Sequence, residues 1–251
     1  MNTTSNLQHH LRMQARFIES QWLNLLRTPA YTLPTLLFPI MFYSFFGLLL
    51  IPGQAQFLLC TFATFGCIGA SLFAFGVGIA TERAQGWLTL LRATPAPVSA
   101  VLAGKGFGAA LFTAIVTLVM AMLAAQFGGV RMTTVQWSGL LLVMIAGSVP
   151  FAALGIGMGM SLSPNAAPAV LNLIYLPLGF MSGLWIPAHQ LPGFMQAMAN
   201  WLPPYHVAEL ALHVTGTKTG TPLLSLGILL TYTVLFIGFA AWAWRRADQH
   251  T

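Results

Sequence analysis

Residues 28–81 read TPAYTLPTLLFPIMFYSFFGLLLIPGQAQFLLCTFATFGCIGASLFAFGVGIAT, 54 positions without an Asp, Glu, Lys or Arg. A helix needs about 20 apolar residues to cross a hydrocarbon core of about 30 Å. The stretch therefore holds two spans around a turn at Ile51-Pro52-Gly53-Gln54. Helices are expected because hydrocarbon offers no water to an open backbone. A barrel would show short alternating segments, and these runs are continuous.

The rest of the chain repeats the pattern. Uncharged stretches separate Lys105 from Arg131 and Lys218 from Arg245, and the longest separates Arg131 from Glu209. Six spans are expected: Tyr31–Leu50, Phe57–Ala80, Gly106–Phe127, Trp137–Met160, Ala166–Trp185 and Leu223–Trp244. Composition agrees. Only 6% of residues are charged and the mean hydropathy is +0.78, whereas a soluble domain carries about 25% charged residues.

Orientation follows from basic residues in short loops. Six spans put Arg12, Arg16, Arg27, Arg83, Arg92, Lys105, Arg245 and Arg246 on one side, against Arg131 and Lys218 on the other. Both termini and the Glu82–Lys105 loop are thus expected in the cytoplasm. The net charge of +6 reads as topology and contact with membrane lipid. Nucleic acid is excluded as a partner, because no basic cluster with interleaved aromatics exists.

Shorter features fill in the organisation. Leu7, Leu11, Ala15, Ile18, Trp22 and Leu25 recur at helical spacing, so residues 7–28 form an interfacial amphipathic helix. Pro34 and Pro39 are expected to kink the first span. Cys60 and Cys67 stand two turns apart in one span, about 10 Å, too far for a disulfide. Gly155 and Gly159 form a GxxxG pair, open to packing within the bundle or against another copy. In the cytoplasmic loop, Thr81 is a plausible cap and Glu82 suits a helix start. Pro95 and Pro97 end that element, which gives a short surface helix at 81–95 with Trp87, Leu90 and Leu91 on its apolar face. Residues 186–221 are apolar yet interrupted by Pro187, Pro192, Pro203 and Pro204, so their segments are too short to cross and form an outer re-entrant hairpin.

The loop from Glu82 through Gly86 and the Leu-rich turn to Thr94-Pro95, with Lys105 opening the third span, resembles the signature of ABC transporter type-2 membrane subunits. So do Asn172, Leu176-Pro177-Leu178, Ser182-Gly183, Leu191-Pro192 and Leu202-Pro203-Pro204-Tyr205-His206 further on. The resemblance covers nearly the whole chain. It implies an all-α polytopic permease subunit of an ATP-driven bacterial exporter in the inner membrane, working beside a second copy of itself and a separate ABC ATPase. It also implies that residues 81–95 are the coupling helix, with Glu82, Arg83, Gly86, Leu88, Leu91, Arg92 and Pro95 meeting the ATPase. One departure stands in that helix: members often carry a second acidic residue soon after the first, where this chain has Ala84 and Gln85.

The residues themselves agree that ATP and Mg would sit on the partner, since a phosphate-binding loop needs GxxxxGK[ST] and the only Gly-Lys, Gly104-Lys105, precedes Gly106. No cofactor is expected in this chain. A secondary carrier or channel is the alternative, yet the spans hold no carboxylate, and a proton-coupled carrier usually needs an ionisable group inside the membrane. A membrane metalloenzyme is the remaining reading. His206, Glu209 and His213 share one helical face at ligand-like spacing, although the HExxH order is absent and no metal is expected. No GxSxG motif offers a nucleophile. Thr61, Thr64, Ser71, Asn172, Tyr175 and Ser182 either line a pathway for an amphipathic or apolar cargo (drug, lipid or lipid-linked glycan) or bond helix to helix. The second and fifth spans, with Gly66, Gly69, Gly76, Gly179 and Gly183, are expected to face a two-fold axis.

Overall fold

The computed structural model describes residues 37–86, 98–219 and 222–249, whose regular elements are all helices, with no strand among them. In chain order the longer helices are α1 (Leu37–Leu50), α2 (Ala55–Ala84), α3 (Val98–Phe127), α4 (Thr134–Ser161), α5 (Ala167–Met181), α6 (Gly193–Ala199), α7 (Pro203–Val214) and α8 (Leu223–Gln249). Four of them, α2, α3, α4 and α8, are long and apolar enough to cross a membrane. The interfacial helix expected at 7–28 lies outside the described residues.

One of the six expected spans is shorter than anticipated. Helix α5 has 15 residues, about 22 Å at 1.5 Å per residue, less than a full hydrocarbon core. It ends where Ser182 caps it and Gly183 takes a φ of +73°. A Cβ at Gly183 would lie 2.9 Å from the Ala188 amide nitrogen, so both the backbone sign and the space require glycine. Helix α1 is wound as a π-helix from Tyr43 to Leu50, closing with the Ile51 N–H on the Phe46 carbonyl five residues back. Its Pro39 ring packs on Gly66 of α2.

Helix α2 is the axis of the bundle: 89% of its span is buried, against 17% for α8. Small residues make this possible. A Cβ at Gly66 would meet Val116 of α3 at 2.9 Å and the Pro39 ring at 3.2 Å. At Gly69 it would meet the Tyr175 hydroxyl at 2.7 Å, and at Gly76 the Leu171 side chain at 2.5 Å, both from α5. Gly179 of α5 is filled in turn by Phe65. The expectation that these glycines meet a second copy is therefore not met, because the chain's own side chains occupy each notch.

The GxxxG pair has the same use. Cβ atoms at Gly155 and Gly159 would approach the Leu72 and Gly76 carbonyl oxygens at 2.9 and 2.7 Å, so α4 lies backbone to backbone on α2. Gly157 faces the other way and takes Phe239 of α8. Helix α4 starts cleanly at a capping box, in which the Thr133 hydroxyl accepts from the Gln136 N–H while the Gln136 side chain accepts from the Thr133 N–H.

Candidate functional site

One end of the bundle brings together Glu82, Arg83 and Lys105. Helix α2 runs on to Ala84, so Thr81 and Glu82 complete its last turn and Thr81 is not the N-cap expected of it. The helix stops at Gly86, whose φ of +77° is the left-handed conformation common after a C-cap. The Glu82 carboxylate accepts a hydrogen bond from Lys105 Nζ of α3 at 2.7 Å, and the Lys105 side chain is 6% exposed. Arg83 points to α4. Its two terminal nitrogens donate to the Met160 carbonyl at 2.6 Å and the Leu162 carbonyl at 2.8 Å. Those are orphan acceptors at a helix C-terminus, where a cation also meets the negative end of the dipole. Adjacent residues of α2 thus tie down the ends of α3 and α4. The second Glu82 oxygen, Oε2, is buried and has no partner among the described residues.

Of the seven residues expected to meet an ATPase, Glu82, Arg83 and Gly86 stand at this end, with the first two bonded within the chain. Leu88, Leu91, Arg92 and Pro95 lie outside the described residues.

At the opposite end the ties between helices are made by uncharged polar groups. The Thr215 carbonyl, just past α7, accepts from Gln56 Nε2 of α2 at 2.9 Å and from Gln136 Nε2 of α4 at 3.0 Å. Helix α7 is also tied to α8. His206 is buried, with Nε2 2.9 Å from the Asn200 carbonyl and Nδ1 3.1 Å from the Ser225 hydroxyl. A carbonyl only accepts, so Nε2 carries the proton and Nδ1 accepts from Ser225. Burial pushes the His206 pKa down, which favours this neutral ring. Glu209 pairs with Lys218. Two of the three side chains in the suggested metal triad are thereby committed elsewhere. Among the described residues no group of three His, Cys, Asp or Glu is placed to hold a metal.

The six polar residues weighed as pathway lining divide by helix. Thr61, Thr64 and Ser71 are buried in α2 and turn back onto its own carbonyls: Leu58 at 3.3 Å, Cys60 at 2.8 Å and Cys67 at 2.9 Å. Tyr175 donates to the Phe65 carbonyl at 3.0 Å and stacks on the Phe65 ring at 4.3 Å. Asn172 is exposed on α5. Ser182 is buried, its hydroxyl has no partner among the described residues, and with Thr61 it lines a cavity of about 330 Å³ beside Glu209 and Lys218. Cys60 and Cys67 are both free and buried.

Comparison with known proteins places this architecture. Residues 16–215 match the family described as ABC-2 type transporter. Over 231 residues the chain is 28% identical to YvfS of Bacillus subtilis (strain 168), which bears the name of a transport permease. The alignment covers 89% of this chain and 93% of that protein.

Proposed function

The chain belongs to the ABC-2 type transporter family, and from that membership we propose that it is the permease subunit of an ATP-driven exporter. A separate ATPase would bind ATP and Mg and act on residues 81–95. The observation that carries this reading is the charged end. Glu82 and Arg83, the first residues of the coupling segment, are bonded to α3 and α4. A push on the segment therefore reaches three helices at once. The far ends of α2 and α4 meet again at the Thr215 carbonyl, so movement begun at the Glu82 end is carried across the bundle by a welded pair of helices.

Placement in the membrane follows the charge count. The Glu82 end faces the cytoplasm of a bacterial inner membrane, with both termini on that side. Six helices lie in the bilayer, α1 and α5 among them. Residues 186–221 dip into the outer leaflet and return. Tyr232, nine residues into α8, donates to the Trp201 carbonyl at 2.8 Å, which supports backbone lying beside an apolar span rather than above it.

The functional unit is a pair of permeases in contact with lipid. With α2 buried, the face offered to a second copy is that of α5. There Asn172, Leu173 and Leu176 are exposed. The Asn172 amide donates to the Pro168 carbonyl at 3.0 Å, and its place on the exposed face of α5 puts it on the proposed shared pathway. The cargo is an amphipathic or apolar molecule such as a drug, a lipid or a lipid-linked glycan. The carboxylates of the described spans, Glu82 and Asp248, stand only at the ends of α2 and α8, which disfavours a proton-coupled carrier.

The test is affinity purification of the tagged chain from native membranes. An ATPase with a phosphate-binding loop should accompany it, and should be lost when Glu82→Ala and Arg92→Ala are combined. Recovery of the same ATPase with that double variant would remove residues 81–95 from the interface.

A further inference from the structure

At the Glu82 end, two kinds of contact hold α3 against α2, and they constrain different things. Phe75 and Ile79 of α2, Ala109 of α3, Met160 of α4 and Ala243 of α8 form one apolar cluster. Such contact is non-directional, so it keeps the helices together without fixing how far one slides along another. The Glu82–Lys105 pair supplies that constraint. Its 2.7 Å bond joins one atom on each helix, and a slide of one helical turn, about 5.4 Å, would carry the two groups apart.

Glycine makes room for the lysine. A Cβ at Gly78 would stand 3.7 Å from Lys105 Nζ, and Gly78 and Glu82, at i and i+4, share one face of α2. The ammonium thus lies beside bare backbone at Gly78 and is held by the carboxylate one turn on. Lys105 is 6% exposed, so opening the pair would strand a charge almost out of water, which is strongly unfavourable. Lys105 stands about two turns inside α3, which begins at Val98, and Glu82 stands in the last turn of α2. The coupling segment at 81–95 leads from one of these helix ends towards the other.

We propose that Lys105 is a positioning residue for coupling: through Glu82 it fixes the register of α3 on α2, so that ATP turnover on the partner becomes movement of the spans. This rests on the permease reading above and gives Lys105 itself no contact with the ATPase. With the pair in place, α2 and α3 receive a push on the coupling segment as one body. Without it, the push slides α3 along α2 and is dissipated, while the apolar cluster still holds the bundle together.

Proteoliposomes holding the chain and its co-purified ATPase test this. Hydrolysis and uptake of an amphipathic fluorescent cargo are both counted per assembled complex, so that loss of folded chain cancels from their ratio. Lys105→Met should retain the ATPase on purification and hydrolyse ATP within about twofold of the native rate, while cargo moved per ATP falls about tenfold, as loss of a coupling free energy of ordinary size implies. Gly78→Leu, which keeps both charges and fills the space beside the ammonium, should uncouple in the same way. Native cargo yield per ATP in Lys105→Met would overturn the proposal. So would loss of the ATPase from that variant, or hydrolysis and transport per complex falling in equal proportion. If the native chain itself moves no cargo with ATP, the permease reading fails and this proposal falls with it.

Discussion

Removing both partners of the Glu82–Lys105 pair should cost less than the sum of removing each alone. Lys105 is 6% exposed and Glu82 20%, so Glu82→Gln leaves an ammonium almost out of water. Lys105→Met leaves a carboxylate with both oxygens short of partners, since Oε2 already has none among the described residues. Breaking a fully buried pair costs about 3–5 kcal/mol. Water reaches Glu82, which lowers the expectation to about 2–3 kcal/mol for each single variant. The double variant Glu82→Gln/Lys105→Met buries no charge and should fall short of the sum by about 1–3 kcal/mol. The assay is reversible unfolding in mixed micelles, run as a double-mutant cycle. Additivity within about 0.5 kcal/mol would show that the pair does not hold α2 to α3.

The remaining predictions address packing, protonation and topology. Gly159→Ala would place a methyl group 2.7 Å from a backbone oxygen, and should destabilise by about 1–3 kcal/mol in the same unfolding assay. Gly238→Ala on α8, where nothing lies within 4 Å, should be neutral or favourable by up to about 1 kcal/mol; equal effects would refute the welding of α4 to α2. His206 has a lowered pKa, so the unfolded chain takes up its proton first as pH falls. Its contribution to stability should be intact above about pH 6.5 and lost as pH falls from there through the lowered value. Unfolding curves of His206→Gln against the native chain check this, and the same pH dependence in both would refute it. A reporter active only in the cytoplasm should be active when fused after Arg246 and silent after Arg131 or Lys218, and activity at Lys218 would remove the proposed topology.

The spans that charge-free runs marked most clearly were the easiest to read. Helices α2, α4 and α8 start and stop within about five residues of where apolar length and loop charge put them, while α3 ends at Phe127 as expected but starts eight residues earlier, at Val98. Helix α5 is shorter than its apolar run because hydropathy continues through Ser182, Gly183 and Leu184, while the backbone turns at Gly183. Thr81 reads as a cap in sequence because a Thr-Glu step inside a long helix looks the same as one that begins a new helix, whereas α2 runs on through it. At the Glu82 end, loop charge alone put Glu82, Arg83 and Lys105 on one side. Their pairing was hidden, since it depends on which helices are neighbours. The acceptors were hidden more deeply. The carbonyls of Met160, Leu162 and Thr215 carry no mark in the side-chain alphabet, and only the Thr133-x-x-Gln136 capping box hinted that Gln136 stands at a helix start. Glycines showed where helices approach closely and left open what approaches.

The central claim is that this chain moves cargo only when a separate ATPase drives it through residues 81–95. Proteoliposomes containing the chain and its co-purified ATPase should transport an amphipathic fluorescent cargo on addition of ATP and Mg. Transport should cease when the lysine of the partner's phosphate-binding loop is replaced, or when the chain carries Glu82→Ala with Arg92→Ala. Vesicles holding the chain alone should show no transport under ATP or under a proton gradient. Uptake by the chain alone, driven by the gradient, would contradict the account.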